Sequence, residues 1–130
     1  MCAISGFFQN DNVKNLNPNK IQQIKDTMNH RGPDNFGYKK GKKFYLFHNR
    51  LSIIDLEERS NQPMVSNCKN FLIVFNGEIY NYIELKRELS KSYNFNTKSD
   101  AEVVLAAYKK WGGGCLDHIF GAFAFCIYDI

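Results

Sequence analysis

The second residue of the chain, Cys2, could act as a nucleophile that carries its own base. A small residue, Ala3, follows it, so removal of Met1 is expected and would leave a thiol and a free α-amine on Cys2. Thiols ordinarily have a pKa of about 8.5 and α-amines of about 7.7–8.0, so the amine can accept the thiol proton near neutral pH. The thiolate could then attack a carbonyl carbon. The alternative is a structural cysteine in an apolar first strand, since free cysteine behaves as a small hydrophobic residue.

Other candidate groups are weaker when each is taken alone. Asn76-Gly77 offers a side-chain amide and an unhindered backbone N–H that could stabilise an oxyanion, but the same dipeptide is common in two-residue hairpin turns. Arg50 ends a predicted strand and could bind a carboxylate with two N–H groups, or it could be a surface charge. Asp100 lies in the first turn of a predicted helix, where the helix dipole alone favours an acid.

Periodicity predicts the elements that would position these residues. Strands are expected at 4–9, 36–38, 44–49, 71–75 and 121–128, and helices after Pro18, over 81–91 and over 99–111. The last helix has the best signals, because Ser99 and Glu102 fit a capping box and Gly112 would end it. Strand runs with separated helices predict an α+β fold.

Composition limits the class of protein. The 130 residues form at most one domain, with 44% hydrophobic residues and a net charge of +4. Much of that charge lies in 39–43, which is better explained as a solvated hairpin tip than as a nucleic-acid site. The four cysteines contain no CxxC pair, so reduced thiols in a cytoplasmic protein are expected, with no metal site. We find no signal-like leader and no run that could span a membrane.

Several short segments carry a family resemblance through their order along the chain. They are Cys2, Arg31-Gly32-Pro33-Asp34, the run from His48 to Asp55, Asn61-Gln62-Pro63, the run from Phe75 to Asn81 and the run from Ser99 to Leu105. In this order they resemble the class II glutamine amidotransferase domain of glutamine-hydrolysing asparagine synthetases, over the whole chain. Other class II amidotransferases share the terminal cysteine and Asn-Gly, but they usually lack the Arg-Gly-Pro-Asp and Arg-Leu-Ser-Ile segments.

The resemblance implies a fold and a reaction. The fold would be an N-terminal-nucleophile hydrolase αββα sandwich, incomplete at the C-terminus, with 1–130 as a partial amidotransferase domain. Cys2 would attack the side-chain amide of glutamine, release ammonia and leave a γ-glutamyl thioester for hydrolysis. Asn76 and the N–H of Gly77 would form the oxyanion hole.

The same resemblance assigns the substrate-binding residues. Arg50 would bind the α-carboxylate of glutamine and Asp100 its α-ammonium group. The rest of the pocket would be lined by Leu51, Ser52, Ile53, Ile54 and Glu78. His30 and His48 would be structural.

The chain differs from the family in two respects. Ala3 stands where the family most often has glycine, a position that accepts small residues. The ATP-dependent synthetase domain, where ATP and magnesium would bind, lies outside these residues, so we expect a fragment with no cofactor of its own. Its partners would be glutamine and a synthetase domain in cis or in trans, without nucleic acid or membrane. Two alternatives stay open: an inactive or regulatory glutamine-binding fragment, and the amidotransferase domain of a related synthetase with another acceptor.

Overall fold

A computed structural model describes residues 1–130. Three of its elements are helices and six are strands, joined by loops that include two short 3₁₀ turns at Glu58–Ser60 and Gly112–Asp117. In chain order they are β1 (Ala3–Phe8), α1 (Pro18–Met28), β2 (Asn35–Lys40), β3 (Phe44–Arg50), β4 (Met64–Val65), β5 (Phe71–Ile79), α2 (Tyr82–Leu89), α3 (Asp100–Trp111) and β6 (Gly121–Asp129). The α+β prediction is confirmed.

The strands form two antiparallel sheets. The first has the order β1-β3-β2 and the second the order β4-β5-β6. In the first sheet Ala3 pairs with Asn49, which brings the start of β1 beside the end of β3. Cys2 and Arg50 are therefore neighbours in space although 48 positions separate them in the chain.

The two sheets pack face to face, and helices cover their outer faces. Phe44 and Leu46 of β3 meet Leu72 and Val74 of β5 between the sheets. The alternate residues of β3 pack against Ile24 and Met28 of α1, and those of β5 pack against α2 and α3. This alternation follows from the two-residue period of a strand. The order of layers is helix, sheet, sheet, helix, which is the predicted αββα arrangement.

The first helix and the lysine-rich segment agree with the sequence prediction. Pro18 is the first residue of α1, and the side chain of Asn17 caps the helix by accepting from the N–H of Asn19 at 2.7 Å. Gly41 lies between β2 and β3, and the lysines around it are exposed, so 39–43 forms the predicted hairpin tip.

The capping box predicted at α3 is wrong in its second half. Ser99 caps the helix, but its hydroxyl accepts from the N–H of Ala101 at 3.2 Å. The carboxylate of Glu102 does not reach back to Ser99. It accepts instead from the N–H of Thr97 at 2.7 Å and from the N–H of Asn96 at 3.0 Å. Glu102 therefore organises the loop before the helix.

No helix in the structure has the length and the apolar character needed to cross a membrane. The longest, α3, has 12 residues.

Candidate active site

A cavity opens where the end of β3, the end of β5 and the start of α3 meet. It holds about 550 Å³ of empty space, part of which is open to solvent. It brings together eight of the ten predicted site residues: Cys2, Arg50, Leu51, Ile53, Ile54, Gly77, Glu78 and Asp100. The remaining lining residues are Met1, Ser60, Gln62, Phe75 and Ser99.

The thiol of Cys2 lies over the backbone of Leu51. The N–H of Leu51 points to Sγ at 3.4 Å, and Sγ is 3.6 Å from the carbonyl oxygen of the same residue. The sulfur therefore has one backbone donor and one backbone acceptor of the same residue within reach. Met1 is largely exposed and also lines the cavity, so its removal would enlarge the space beside the thiol.

The Arg-Gly-Pro-Asp segment holds the parts of the site in place from outside the cavity. Nε of Arg31 donates to the carbonyl oxygen of Cys2 at 3.1 Å. A Cβ on Gly32 would collide with the backbone of Asn49, so only glycine allows this close approach. Asp34 accepts from the N–H of Ser52 at 2.7 Å. This segment positions the nucleophile and the loop after β3.

Arg50 is 5% exposed, and its guanidinium is surrounded by the loop that follows β3. It donates to the carbonyl oxygens of Glu57 at 3.1 Å, Ile54 at 3.4 Å and Asp55, and to Oδ1 of Asn61 at 2.7 Å. These acceptors are neutral, and Arg50 takes part in no ion pair. A buried cation is therefore present without a counter-anion.

Asp100 supplies the opposite charge from the first turn of α3. It is 7% exposed, and its Oδ2 accepts from the N–H of Ile79 at 3.3 Å. Burial raises the pKa of Asp100, the backbone hydrogen bonds oppose this, and the Glu78 charge raises it further. Asp100 also has no ion-pair partner. The cavity thus has one buried, unpaired charge of each sign, and Glu78 adds an exposed carboxylate.

Asn76-Gly77 lies inside β5, where these residues pair with Ala124 and Phe123 of β6, so the hairpin-turn alternative is wrong. Gly77 has φ of +152°, and a Cβ there would collide with the carbonyl oxygen of Ala122. Asn76 does not line the cavity. Its Oδ1 is buried without a hydrogen-bond partner, so the protein leaves its side-chain amide partly free.

Ser52 also lies outside the cavity lining, contrary to the prediction. The N–H of Ser52 donates to Asp34, which is outside the cavity lining, while Leu51, Ile53 and Ile54 line the cavity. The prediction treated 51–54 as one lining segment and missed this contact, which joins positions 18 residues apart.

Gln62 is a lining residue that the sequence reasoning did not single out. Its Oε1 accepts from the N–H of Phe75 at 2.6 Å, which joins the loop after β3 to β5. Gln62 belongs to the Asn61-Gln62-Pro63 segment, so the motif was a usable signal. Phe75 and Ser99 likewise begin two of the motif segments, whereas Ser60 lies in none of them.

His48 is buried between the sheets and fits the structural role expected of it. It is 0% exposed, and its Nε2 lies 3.1 Å from the carbonyl oxygen of Phe75. Because a carbonyl can only accept, Nε2 carries the proton in this contact. Burial lowers the pKa of His48 to about 4, so the ring is neutral near pH 7. The structure contains no group of three or more His, Cys, Asp or Glu side chains that could hold a metal ion.

Residues 1–130 match the family described as glutamine amidotransferase domain. The chain is 40% identical to asparagine synthetase [glutamine-hydrolyzing] 1 of Bacillus subtilis, over 99% of the chain and 21% of that protein. It is 39% identical to asparagine synthetase B [glutamine-hydrolyzing] of Escherichia coli, over 99% of the chain and 23% of that protein. A 36% identical relative over 99% of the chain is amidase chry2 of Gibberella zeae.

Among solved structures, the glutamine phosphoribosylpyrophosphate amidotransferase of Bacillus subtilis has a similar fold. The TM-score is 0.54 at 24% identity, over 69% of this chain and 22% of that chain. At this identity the likeness supports the fold alone. The chain spans about a fifth of the length of the asparagine synthetases that it matches.

Proposed function

Because the chain belongs to the glutamine amidotransferase family and is homologous to the N-terminal region of asparagine synthetases, we propose that it hydrolyses glutamine in the cavity beside Cys2. The observation that carries the proposal is the pair of buried, unpaired charges in one cavity with a thiol. A free amino acid has one negative and one positive group, and Arg50 and Asp100 offer the opposite charge to each.

In the proposed reaction, removal of Met1 exposes the α-amine of Cys2, which takes the thiol proton. The thiolate attacks the side-chain amide carbon of glutamine, and the carbonyl oxygen becomes an oxyanion. The amide nitrogen leaves as ammonia with the proton from the amine, and a γ-glutamyl thioester remains. Water then hydrolyses the thioester to glutamate and restores the thiol.

We assign stabilisation of the oxyanion to the N–H of Gly77 and the side-chain amide of Asn76. Gly77 lines the cavity, and the unpartnered state of the Asn76 amide supports this assignment. Asn76 must turn its amide nitrogen towards the substrate to donate. Two neutral donors suit an oxyanion, because they stabilise charge that is present only in the transition state. Glu78 and the 51–54 loop complete the glutamine pocket.

We further propose that the ammonia serves an ATP- and magnesium-dependent synthetase domain, in cis or in trans, that amidates aspartate in the cytoplasm. The identity to asparagine synthetases about five times as long supports this assignment. The chain itself would need no cofactor, since thiol and amine suffice for the hydrolysis. An acceptor other than aspartate is the second candidate, because a relative of similar identity carries the different name amidase chry2.

The proposed hydrolysis is tested by replacing Cys2 with alanine in the purified protein. Cys2→Ala should abolish the release of glutamate and ammonia from glutamine, because Cys2 is the only thiol that lines the cavity. Cys68→Ala is the matched control, since Cys68 is a partly exposed thiol outside the cavity, and it should keep full activity. Intact mass spectrometry should show loss of Met1 from active protein. Hydrolysis by Cys2→Ala, or by protein that retains Met1, would contradict the mechanism.

A further inference from the structure

The two buried, unpaired charges of the cavity, Arg50 and Asp100, belong to separate segments of the chain. Arg50 is held by the loop 51–62, and Asp100 is held by the first turn of α3. An amino acid has a fixed distance between its carboxylate and its ammonium group. The two segments must therefore be held at a fixed separation if both charges are to bind one substrate.

One side chain connects them. The carboxylate of Asp55 accepts from the N–H of Lys98 at 2.6 Å, and Lys98 lies two residues before Asp100. This is the one hydrogen bond between the loop 51–62 and the segment 94–102. The same residue contacts Arg50, because the carbonyl oxygen of Asp55 accepts from the guanidinium. Asp55 thus touches the cation at one end of the site and the segment that carries the anion at the other.

The conformation of Asp55 is specialised for this connection. Its side chain is 2% exposed, and its φ is +54°, in the left-handed region that most residues avoid. Burial acts to raise the pKa of Asp55, but hydrogen bonds from the N–H groups of Lys98 and Glu57, with the nearby Ser60 hydroxyl and the Arg59 charge, lower it to about 2. The carboxylate therefore stays ionised and fully available as an acceptor at neutral pH.

We propose that Asp55 is a positioning residue that sets the separation between Arg50 and Asp100 through its hydrogen bond to the N–H of Lys98. It touches neither the substrate nor the thiol in this assignment, and it does not line the cavity. The proposal rests on the proposed glutamine hydrolysis and adds what makes that site selective for a molecule with both charges. The ion pair with Arg59 at 3.4 Å is a separate contact, and half of the Arg59 side chain is exposed.

The test compares two reagents that alkylate Cys2. One is the diazoketone analogue of glutamine, which carries both charged groups and must be positioned by them. The other is iodoacetamide, which reacts with the thiol without using either charge. Mass spectrometry of the N-terminal peptide measures labelling of Cys2 separately from that of the three other free cysteines. The ratio of the two Cys2 labelling rates reports positioning, whereas a general loss of structure changes both rates. Far-UV circular dichroism is recorded for every variant.

Asp55→Ala should lower the ratio by about tenfold or more, the scale expected for losing a hydrogen bond to a charged group. Asp55→Asn keeps one oxygen that can accept from Lys98, so its ratio should lie between those of Asp55→Ala and the unmodified protein. Arg59→Gln is the matched control and should change the ratio by no more than about twofold, because exposed ion pairs contribute little. If Asp55→Ala does not fold, Asp55→Asn provides the test, and its ratio of labelling rates is expected to be lower than that of the unmodified protein by about threefold or more.

Three results would overturn the inference: an unchanged ratio in the Asp55 variants, an equal loss of both labelling rates, or a loss in Arg59→Gln as large as in Asp55→Ala. Failure of the proposed function looks different. In that case the unmodified protein itself would show no preference for the diazoketone analogue over an uncharged diazoketone, and Asp55 would have no substrate site to position.

Discussion

The buried His48 predicts that acid destabilises this fold well above the pH at which carboxylates protonate. Burial, and to a smaller extent the Arg50 charge, lowers the pKa of His48 to about 4, although its hydrogen bond to Phe75 acts in the opposite direction. The ordinary value is 6.5. Between these values the unfolded chain binds a proton that the folded protein does not, so stability is lost as the pH falls from 6.5 through 4.

The size of the effect follows from the difference between the two pKa values. At about 1.4 kcal/mol per pH unit, the full loss below pH 4 is about 3.5 kcal/mol, and about 2.5 kcal/mol of it has occurred at about pH 4.5. Folded domains have a total stability of only about 5–15 kcal/mol. The loss from this single residue is therefore a large fraction of the total stability.

Urea denaturation followed by far-UV circular dichroism, at several values between about pH 7 and about pH 4.5, measures the effect. His48→Gln keeps a donor for the carbonyl oxygen of Phe75 but cannot titrate, so its free energy of unfolding should fall less with acid, by about 2.5 kcal/mol. His30→Gln is the control, since His30 is exposed, and it should follow the unmodified protein. Parallel pH curves for His48→Gln and the unmodified protein would refute the reasoning.

Two variants separate binding from chemistry in the proposed reaction. Arg50→Ala should raise the KM for glutamine, because it removes the buried cation that would bind the α-carboxylate, and the expected loss of binding free energy is about 2–5 kcal/mol. An unchanged KM with a lower kcat would contradict this role. Asn76→Ala should lower kcat by about 10²–10³-fold and leave KM nearly unchanged, as expected for a donor used in the transition state. Steady-state assays of ammonia release measure both effects. A change in KM alone would exclude Asn76 from the oxyanion hole.

The elements of this fold were predictable because their signals are local. The spacing of apolar residues predicts α1, α2 and α3, and short apolar runs bounded by turn residues predict five of the six strands. The two-residue β4 was not predicted, and β5 extends four residues beyond its predicted end. The Asn76-Gly77 pair shows where a local signal fails. Asn76-Gly77 has the composition of a turn, but β6 supplies a partner along the whole of β5, and the glycine is needed for a close approach to Ala122.

The site was predictable only where an ordered set of motifs marked it. Cys2, Arg50 and Asp100 lie in such segments and meet in one cavity. The contacts between these segments had no local signal. The bond from Lys98 to Asp55 joins positions 43 residues apart, and the N–H of Phe75 reaches Gln62 across a loop. Such contacts depend on tertiary packing, which single-sequence periodicity does not describe.

The hydrogen bonds of Arg50 explain how one residue can both build the loop and bind a substrate. Four of its five N–H groups are used by neutral oxygens of the loop 54–61, which satisfies these donors but leaves the charge in place. A cation buried without a counter-ion is costly, and so is the buried carboxylate of Asp100, whose pKa is raised mainly by burial. A molecule that carries both a carboxylate and an ammonium group relieves both costs at once. Molecules that lack either group leave one buried charge unpaired, so the fold itself disfavours them. We therefore propose that selectivity for an α-amino acid arises from the buried charges that this domain leaves without partners, while the thiol acts on the side chain of the bound molecule.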